Sequence, residues 1–286
     1  MTAIIFGANG QDGYYLTRLL QQQGYEVVPV TRSGATIISN YDQVYKLVAE
    51  KQPALIFHLA ANSTTRHDVL FENHITISTG TFNVLEVVRV ASPQTRVFIS
   101  GSGLQFRNEG QPIKESDPFE ARDPYSVSRI HSVYAARYYR SLGIKTYVGY
   151  FFNHDSPLRT ERHMSRKIAE AAKRIGGGSK DKLEIGDMSV VKEWGFAGDI
   201  VKAILALVEQ DKVFEAVLGT GMGYSIQDWV EACFSIAGLN WREHVIQKEG
   251  FRAEYSSLVS DPALIMSLGW KPETSLSQLA QMMMKP

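Results

Sequence analysis

Short apolar runs recur through the first half of the chain, and each is followed by a stretch in which apolar residues return every three or four positions. Residues 3–6, 26–30, 54–59, 96–100 and 145–150 have the length and composition of buried strands. Between them, 14–20, 41–50, 79–90 and 125–142 carry helical spacing. Strands that alternate with helices predict an α/β fold, a doubly wound parallel sheet of the Rossmann type. Beyond residue 150 the spacing changes and glycine-rich loops appear, notably Gly176-Gly-Gly-Ser179. The pattern predicts a smaller, mostly helical C-terminal substrate domain from about 154–190 and 215–286. Residues 1–153, rejoined by about 191–214, form the larger, sheet-bearing domain in this reading.

Composition narrows the classes. A hydrophobic share of 44% in 286 residues is ample for a real core. Lys plus Arg and Asp plus Glu balance at 30 each, so no electrostatic argument favours nucleic acid or an anionic membrane as partner. No run reaches the roughly 18 apolar residues of a membrane span. Cys233 is the only cysteine, which excludes an internal disulfide and fits a reducing cytoplasm. The seven histidines show no ligand spacing such as H-E-x-x-H, so no metal is expected.

The first chemical motif lies between run 3–6 and the helical stretch after it: Gly7-Ala-Asn9-Gly10-Gln11-Asp12-Gly13. Gly7 and Gly10 let the backbone approach a pyrophosphate, Gly13 lets helix pack on sheet, and the helix N-terminus attracts the anion. The glycine spacing alone is weak evidence; the flanking strand and helix are the context it requires. The second strand ends at Thr31-Arg32-Ser33, where an acidic residue would favour a free ribose 2′-hydroxyl. Arg32 can pair with a 2′-phosphate instead, which favours NADP(H) over NAD(H); its other reading is a solvated loop arginine. His58-Leu59-Ala60-Ala61 ends the third strand in small residues suited to close cofactor approach, although His58 alone reads equally well as a buried core histidine.

Downstream, Asp123-Pro-Tyr125-Ser-Val-Ser-Arg129 sets a phenol and a cation four residues apart, on one helical face. A Tyr-x-x-x-Lys pair at such a place is the mark of short-chain dehydrogenases, and here the lysine is arginine. In the second half, Phe151-Phe-Asn153-His-Asp-Ser-Pro157, Arg166-Lys167-Ile168, Asp181-Lys-Leu-Glu-Ile-Gly-Asp187 and Lys192-Glu-Trp-Gly195 closely resemble GDP-mannose 4,6-dehydratases of the extended short-chain dehydrogenase family. So do Asp228-Trp-Val, Gly238-Leu-Asn-Trp241, Leu268-Gly-Trp-Lys-Pro272 and the Gly-Gln-Asp-Gly core of the first turn. The resemblance implies a GDP-sugar substrate whose diphosphate is held by Asn153, Arg166 and Lys167, with Lys192 beside them and Arg159 and Arg162 as weaker candidates. Phe251-Arg252-Ala-Glu254 comes close to a family motif that carries an arginine and a glutamate, without its proline.

Four departures bear on the chemistry. Where the dehydratases read Ser-Thr-Ser-Glu-Leu-Tyr-Gly, this chain reads Ser100-Gly101-Ser102-Gly103-Leu-Gln-Phe106. Gly101 replaces the threonine and Gly103 the glutamate that would serve as acid and base, and elimination of water needs both roles. Arg129 replaces the lysine, and the loop after Arg32 is shortened and lacks the acidic residue expected near Ile37 for the adenine. These changes leave Tyr125, Arg129, Ser100 and Ser102 as a set suited to keto reduction, on a GDP-4-keto-6-deoxy hexose or heptose of surface-polysaccharide synthesis. An atypical dehydratase, a 4-epimerase and a catalytically silent sugar-nucleotide-binding homologue stay open. The shortened loop favours a homodimer over the family's tetramer.

Overall fold

The computed structural model describes residues 1–285. Its first half runs β1 (Thr2–Phe6), α1 (Gln11–Gln22), β2 (Glu26–Val30), α2 (Tyr41–Lys51), β3 (Leu55–His58), α3 (Leu70–Asn73), a π-helical turn (His74–Thr79), α4 (Gly80–Ala91), β4 (Arg96–Ser102), α5 (Pro124–Ser141) and β5 (Thr146–Phe151). The second half runs β6 (His154–Asp155), α6 (Met164–Gly176), β7 (Leu183–Ile185), β8 (Val191–Lys192), β9 (Gly195–Phe196), α7 (Ala197–Val208), β10 (Glu215–Leu218), β11 (Tyr224–Ser225), α8 (Ile226–Ile236), β12 (Val245–Gln247), β13 (Ser257–Leu258), α9 (Ala263–Ser267) and α10 (Leu276–Met284).

Six strands form one sheet in the order β10-β5-β4-β3-β1-β2, with every neighbouring pair parallel. The five expected strands and the helices between them stand where the apolar pattern puts them. From β1 the chain moves outward to β2 and then returns to β3 on the other side, so a crevice opens beyond the carboxyl ends of β1 and β3, where ligands of doubly wound sheets bind. One sheet face carries a core of Ile4, Ile56, Val84, Val88, Val97 and Val133 beneath α2, α4 and α5. The other buries Ile5, Leu16, Phe57, Phe98 and Ile204 beneath α1 and α7.

A third core joins α6, α8 and α10 around Trp229, whose ring stacks on Trp194 at 4.7 Å and 9°. Two corrections to the expected boundaries follow from strand pairing. Residues 215–218, expected in the smaller domain, form β10 and close the large sheet beside β5, with Leu218 opposite Phe151. Val191–Lys192, expected to rejoin the first domain, pairs instead with β11 and β13 in a small separate sheet. At the seam, β6 pairs with β9, His154 opposite Gly195.

Candidate active site

Gly7 opens the crevice at φ +92°, and a Cβ there would lie 2.7 Å from the amide nitrogen of Ala60. A side chain on Gly13 would strike the Gly7 carbonyl. The turn is thus packed against the end of β3, and the amides at the start of α1 face outward as an anion site. A cavity of about 250 Å³ beside it is lined by Gly7, Asn9, Gly10, Arg32, Ile37, Leu59, Ala60 and Ala61, a shape and lining that fit a nucleoside. Arg32 ends in an exposed ion pair with Glu72, 2.8 Å away.

A second cavity of about 440 Å³ shares Asn9, Gly10, Leu59 and Ala61 with the first and continues to Tyr125 and Arg129. Asp123 caps α5 by accepting from the amides of Tyr125 (2.8 Å) and Ser126 (2.9 Å), and Pro124 presets the first turn. That cap fixes Tyr125 at the mouth of the helix and Arg129 one turn deeper. The Arg129 guanidinium lies 5.0 Å from the Tyr125 ring centroid. Its Nη1 donates to the Ser100 carbonyl and, at 2.7 Å, to Ser100 Oγ, while Nε is buried without a protein partner. Ser100 Oγ donates in turn to the His58 carbonyl at 2.8 Å. Ser102 Oγ accepts from Leu104 N at 3.2 Å and caps a short turn over Gly103–Gln105. Burial, with the Arg129 charge adding to it, pushes the His58 imidazole down to about 3, so this histidine is a neutral core residue.

The two glycines are held by aromatic neighbours. A Cβ on Gly101 would lie 2.6 Å from Tyr150 Cδ1, and one on Gly103 2.9 Å from Phe152 Cζ. Tyr150 cannot withdraw easily, because its hydroxyl donates to Glu215 at 2.6 Å. Burial alone would raise the Glu215 carboxyl, but Arg137, Tyr150 and Arg140 outweigh it and hold it down to about 2.

The far end of the cavity is cationic. Arg159, Arg162, His163 and Lys192 line it with Asn153, whose Oδ1 is buried without a partner. Burial lowers Lys192, with Asp155 opposing and Arg159 adding to the shift. Burial and the cations Arg159, Arg162 and Lys192, against Asp155, push His163 down to about 4. Cations crowded in a partly desolvated recess, with Lys192 and His163 both lowered there, form a site that an anion would relieve.

The GDP-mannose 4,6 dehydratase family model matches residues 35–283. The chain belongs to the GDP-mannose 4,6-dehydratase family. It is 30% identical over 317 aligned residues to GDP-mannose 4,6 dehydratase 2 of Arabidopsis thaliana, covering 98% of this chain and 85% of that one. The fold is that of the extended short-chain dehydrogenases. RMD from Pseudomonas aeruginosa, solved with NADPH, superposes with a TM-score of 0.89 at 21% identity over 99% of this chain and 97% of that chain. The dTDP-glucose 4,6-dehydratase of Bacillus anthracis, solved with NAD, does so at 0.85 and 16%, over 98% and 94%.

Several residues expected at the substrate fall outside this cavity's lining. Arg166 pairs with Glu170 at 2.7 Å and donates to the Met283 carbonyl, and Lys167 donates to the Glu184 carbonyl. Neither lines the cavity; α6 turns Ser165, Ile168, Ala169 and Ala172 inward and sends 166 and 167 to its flanks. Arg252 and Glu254 also stand outside the cavity lining, and Glu254 accepts from Thr65 Oγ1 at 3.3 Å. Asn153 and Lys192 do line it. Gln11 and Asp12 line it too, but their side chains bond to residues 154–156, leaving their backbone amides to the helix N-terminus. Neither His154 nor His163 is among the site residues the sequence points to; His154 stands next to Asn153 in its motif, whereas His163 lies beyond the end of that motif and carries no such signal.

Proposed function

We propose that this chain is an NADP(H)-dependent reductase of a GDP-4-keto-6-deoxy sugar, a hexose or heptose destined for surface polysaccharide. One observation carries the reading: among the described residues, the only carboxylates lining the cavity, Asp12 and Asp155, are both engaged at its cationic end, by His154 and by Arg159 with Ser165. On the tyrosine side the lining is Ser100, Ser102, Leu104, Tyr125, Phe152 and Leu258, which offers a phenol and hydroxyls but no carboxylate. Dehydration needs a base for the C5 proton and an acid for the leaving hydroxyl. Keto reduction needs less.

A bound nicotinamide nucleotide would supply the hydride. The glycine turn, Leu59, Ala60 and Ala61 would hold it, with Arg32 as the candidate for a 2′-phosphate. Tyr125 then gives its phenolic proton to the C4 oxygen as that carbon gains hydride. Arg129, fixed beside the ring, stabilises the phenolate, which is reprotonated from solvent. Asn153, Arg159, Arg162 and Lys192 face the diphosphate. A homodimer is part of this reading, supported by the exposed apolar stripe Phe71, Ile75 and Phe82 with Val127, Tyr134 and Tyr138 on the adjoining helices.

Family membership favours a second reading, a dehydratase with an atypical site; the glycines at 101 and 103 argue against it. A third, the silent sugar-nucleotide-binding homologue, is favoured by Arg129, whose Nη1 is spent on Ser100. Incubation with GDP-mannose, and separately with GDP-4-keto-6-deoxymannose plus NADPH, separates the three by absorbance of the reduced nicotinamide and by product analysis. The reductase consumes NADPH with the keto sugar alone. Keto sugar formed from GDP-mannose refutes it, and silence in both arms with tight NADPH binding leaves the silent homologue.

A further inference from the structure

The first turn of α1 and the segment after β5 are tied by side chains from both. His154 Nε2 meets Asp12 Oδ1 at 2.8 Å, and His154 Nδ1 meets the Phe152 carbonyl at 2.7 Å. An ionised carboxylate and a carbonyl can only accept, so this geometry is fully satisfied when both ring nitrogens carry hydrogen, the imidazolium form that the neighbouring Asp12 favours by raising the ring's titration. Gln11 Nε2 donates to the His154 carbonyl at 3.1 Å, and Ser156 Oγ donates to Gln11 Oε1 at 2.9 Å. The same His154 carbonyl accepts from Arg159 Nη2 at 3.0 Å, and Arg159 Nε reaches Asp155, which also accepts from Ser165 at the start of α6.

A continuous, buried chain of polar contacts therefore links the amides that face the cofactor's pyrophosphate to the arginine that faces the sugar nucleotide's diphosphate. Asp12 and His154 neutralise one another between the two anion sites. Were His154 neutral, Asp12 would stand as an uncompensated negative charge beside both.

We propose that Asp12 and His154 form a positioning clamp through which an occupied cofactor turn holds the anion-binding segment 153–165 in place, so that dinucleotide and nucleotide sugar bind with positive coupling. This rests on the function proposed above. An anion on the α1 amides fixes Gln11 and Asp12; these fix residues 154–156; and these fix Arg159 for the second anion. Coupling between sites is reciprocal, so each ligand tightens the other by one factor.

Calorimetric titration of GDP, with and without saturating NADPH, tests this in the native protein, in Asp12→Asn and in His154→Gln. In the native protein NADPH should tighten GDP about fivefold or more. In both variants the ratio should fall to about one while each ligand still binds alone. Asp12→Asn keeps shape and an acceptor and removes only the charge. The groups that face His154 are Asp12 from α1 and Arg159 from the following loop; Phe151 and the β9 backbone bring no charge. Coupling in the native protein should accordingly fade as pH rises through the His154 titration. A native protein that binds both ligands independently, or an Asp12→Asn variant with unchanged coupling, overturns the clamp and leaves the proposed function standing. A native protein that binds neither NADPH nor GDP overturns both.

Discussion

Arg129 differs from the lysine of related enzymes less in charge than in what it can pass on. A guanidinium stays protonated and holds its fork rigidly, so it can stabilise a tyrosinate without relaying the proton. In the proposed reduction Tyr125 carries the proton transfer alone, so Tyr125→Phe should lower turnover of the keto sugar by about 10²- to 10³-fold. NADPH affinity, followed by fluorescence quenching, should be unchanged. The Tyr-x-x-x-Arg spacing is legible in the sequence because both residues sit on one helix. The partner of Arg32 is not, because Glu72 arrives from α3 across the crevice. Under the proposed use of NADP(H), that pairing sets the arginine's charge against a carboxylate that the 2′-phosphate would have to displace. Glu72→Gln should tighten NADPH by roughly two- to fivefold and leave NADH unaffected, a small effect because the pair is exposed. An unchanged ratio of the two dissociation constants would separate Arg32 from cofactor choice.

At the scale of elements, β4 and β5 explain why the glycines at 101 and 103 are more than missing side chains. Tyr150 and Phe152 occupy the space, and Tyr150 is anchored through Glu215 to Arg137 and Arg140. Restoring Gly101→Thr and Gly103→Glu together should cost about 1–3 kcal/mol of stability through overpacking, read by denaturant titration. It should not yield dehydration of GDP-mannose. These contacts lie between strands and do not show in apolar spacing. The same limit hides β10, four residues whose place is settled by pairing with β5 rather than by pattern. In α6 the information is present: Ser165, Ile168, Ala169 and Ala172 form one helical face, and Arg166 and Lys167 fall off it.

Over the whole molecule, the sheet and its crevice follow from alternation of strands and helices, while the seam between glycine turn and anion segment joins residues more than 140 positions apart. Burial raises Asp12, but His154 and Arg159 outweigh it and lower the carboxyl; burial lowers His154, but Asp12 outweighs it and raises the imidazole. The depressed carboxyl stabilises the fold above the ordinary carboxylate range and is lost as pH falls through its lowered value. The raised imidazole stabilises fully below its ordinary value and is lost as pH rises through the raised one. The pair's contribution is therefore full between about pH 4 and about pH 6.5. The melting-temperature gap between the native protein and Asp12→Asn should be widest in that window and narrow toward alkaline pH. Whether the site reduces a keto sugar rather than dehydrating GDP-mannose is read most plainly by supplying GDP-4-keto-6-deoxymannose, and in a parallel reaction GDP-mannose, with NADPH deuterated at the transferable position of the nicotinamide, and following the label by mass spectrometry and NMR. The proposed reductase places deuterium at C4 of the sugar nucleotide recovered from the keto sugar and leaves GDP-mannose unchanged; a keto sugar that gains no label, together with a 4-keto-6-deoxy sugar formed from GDP-mannose, would overturn it.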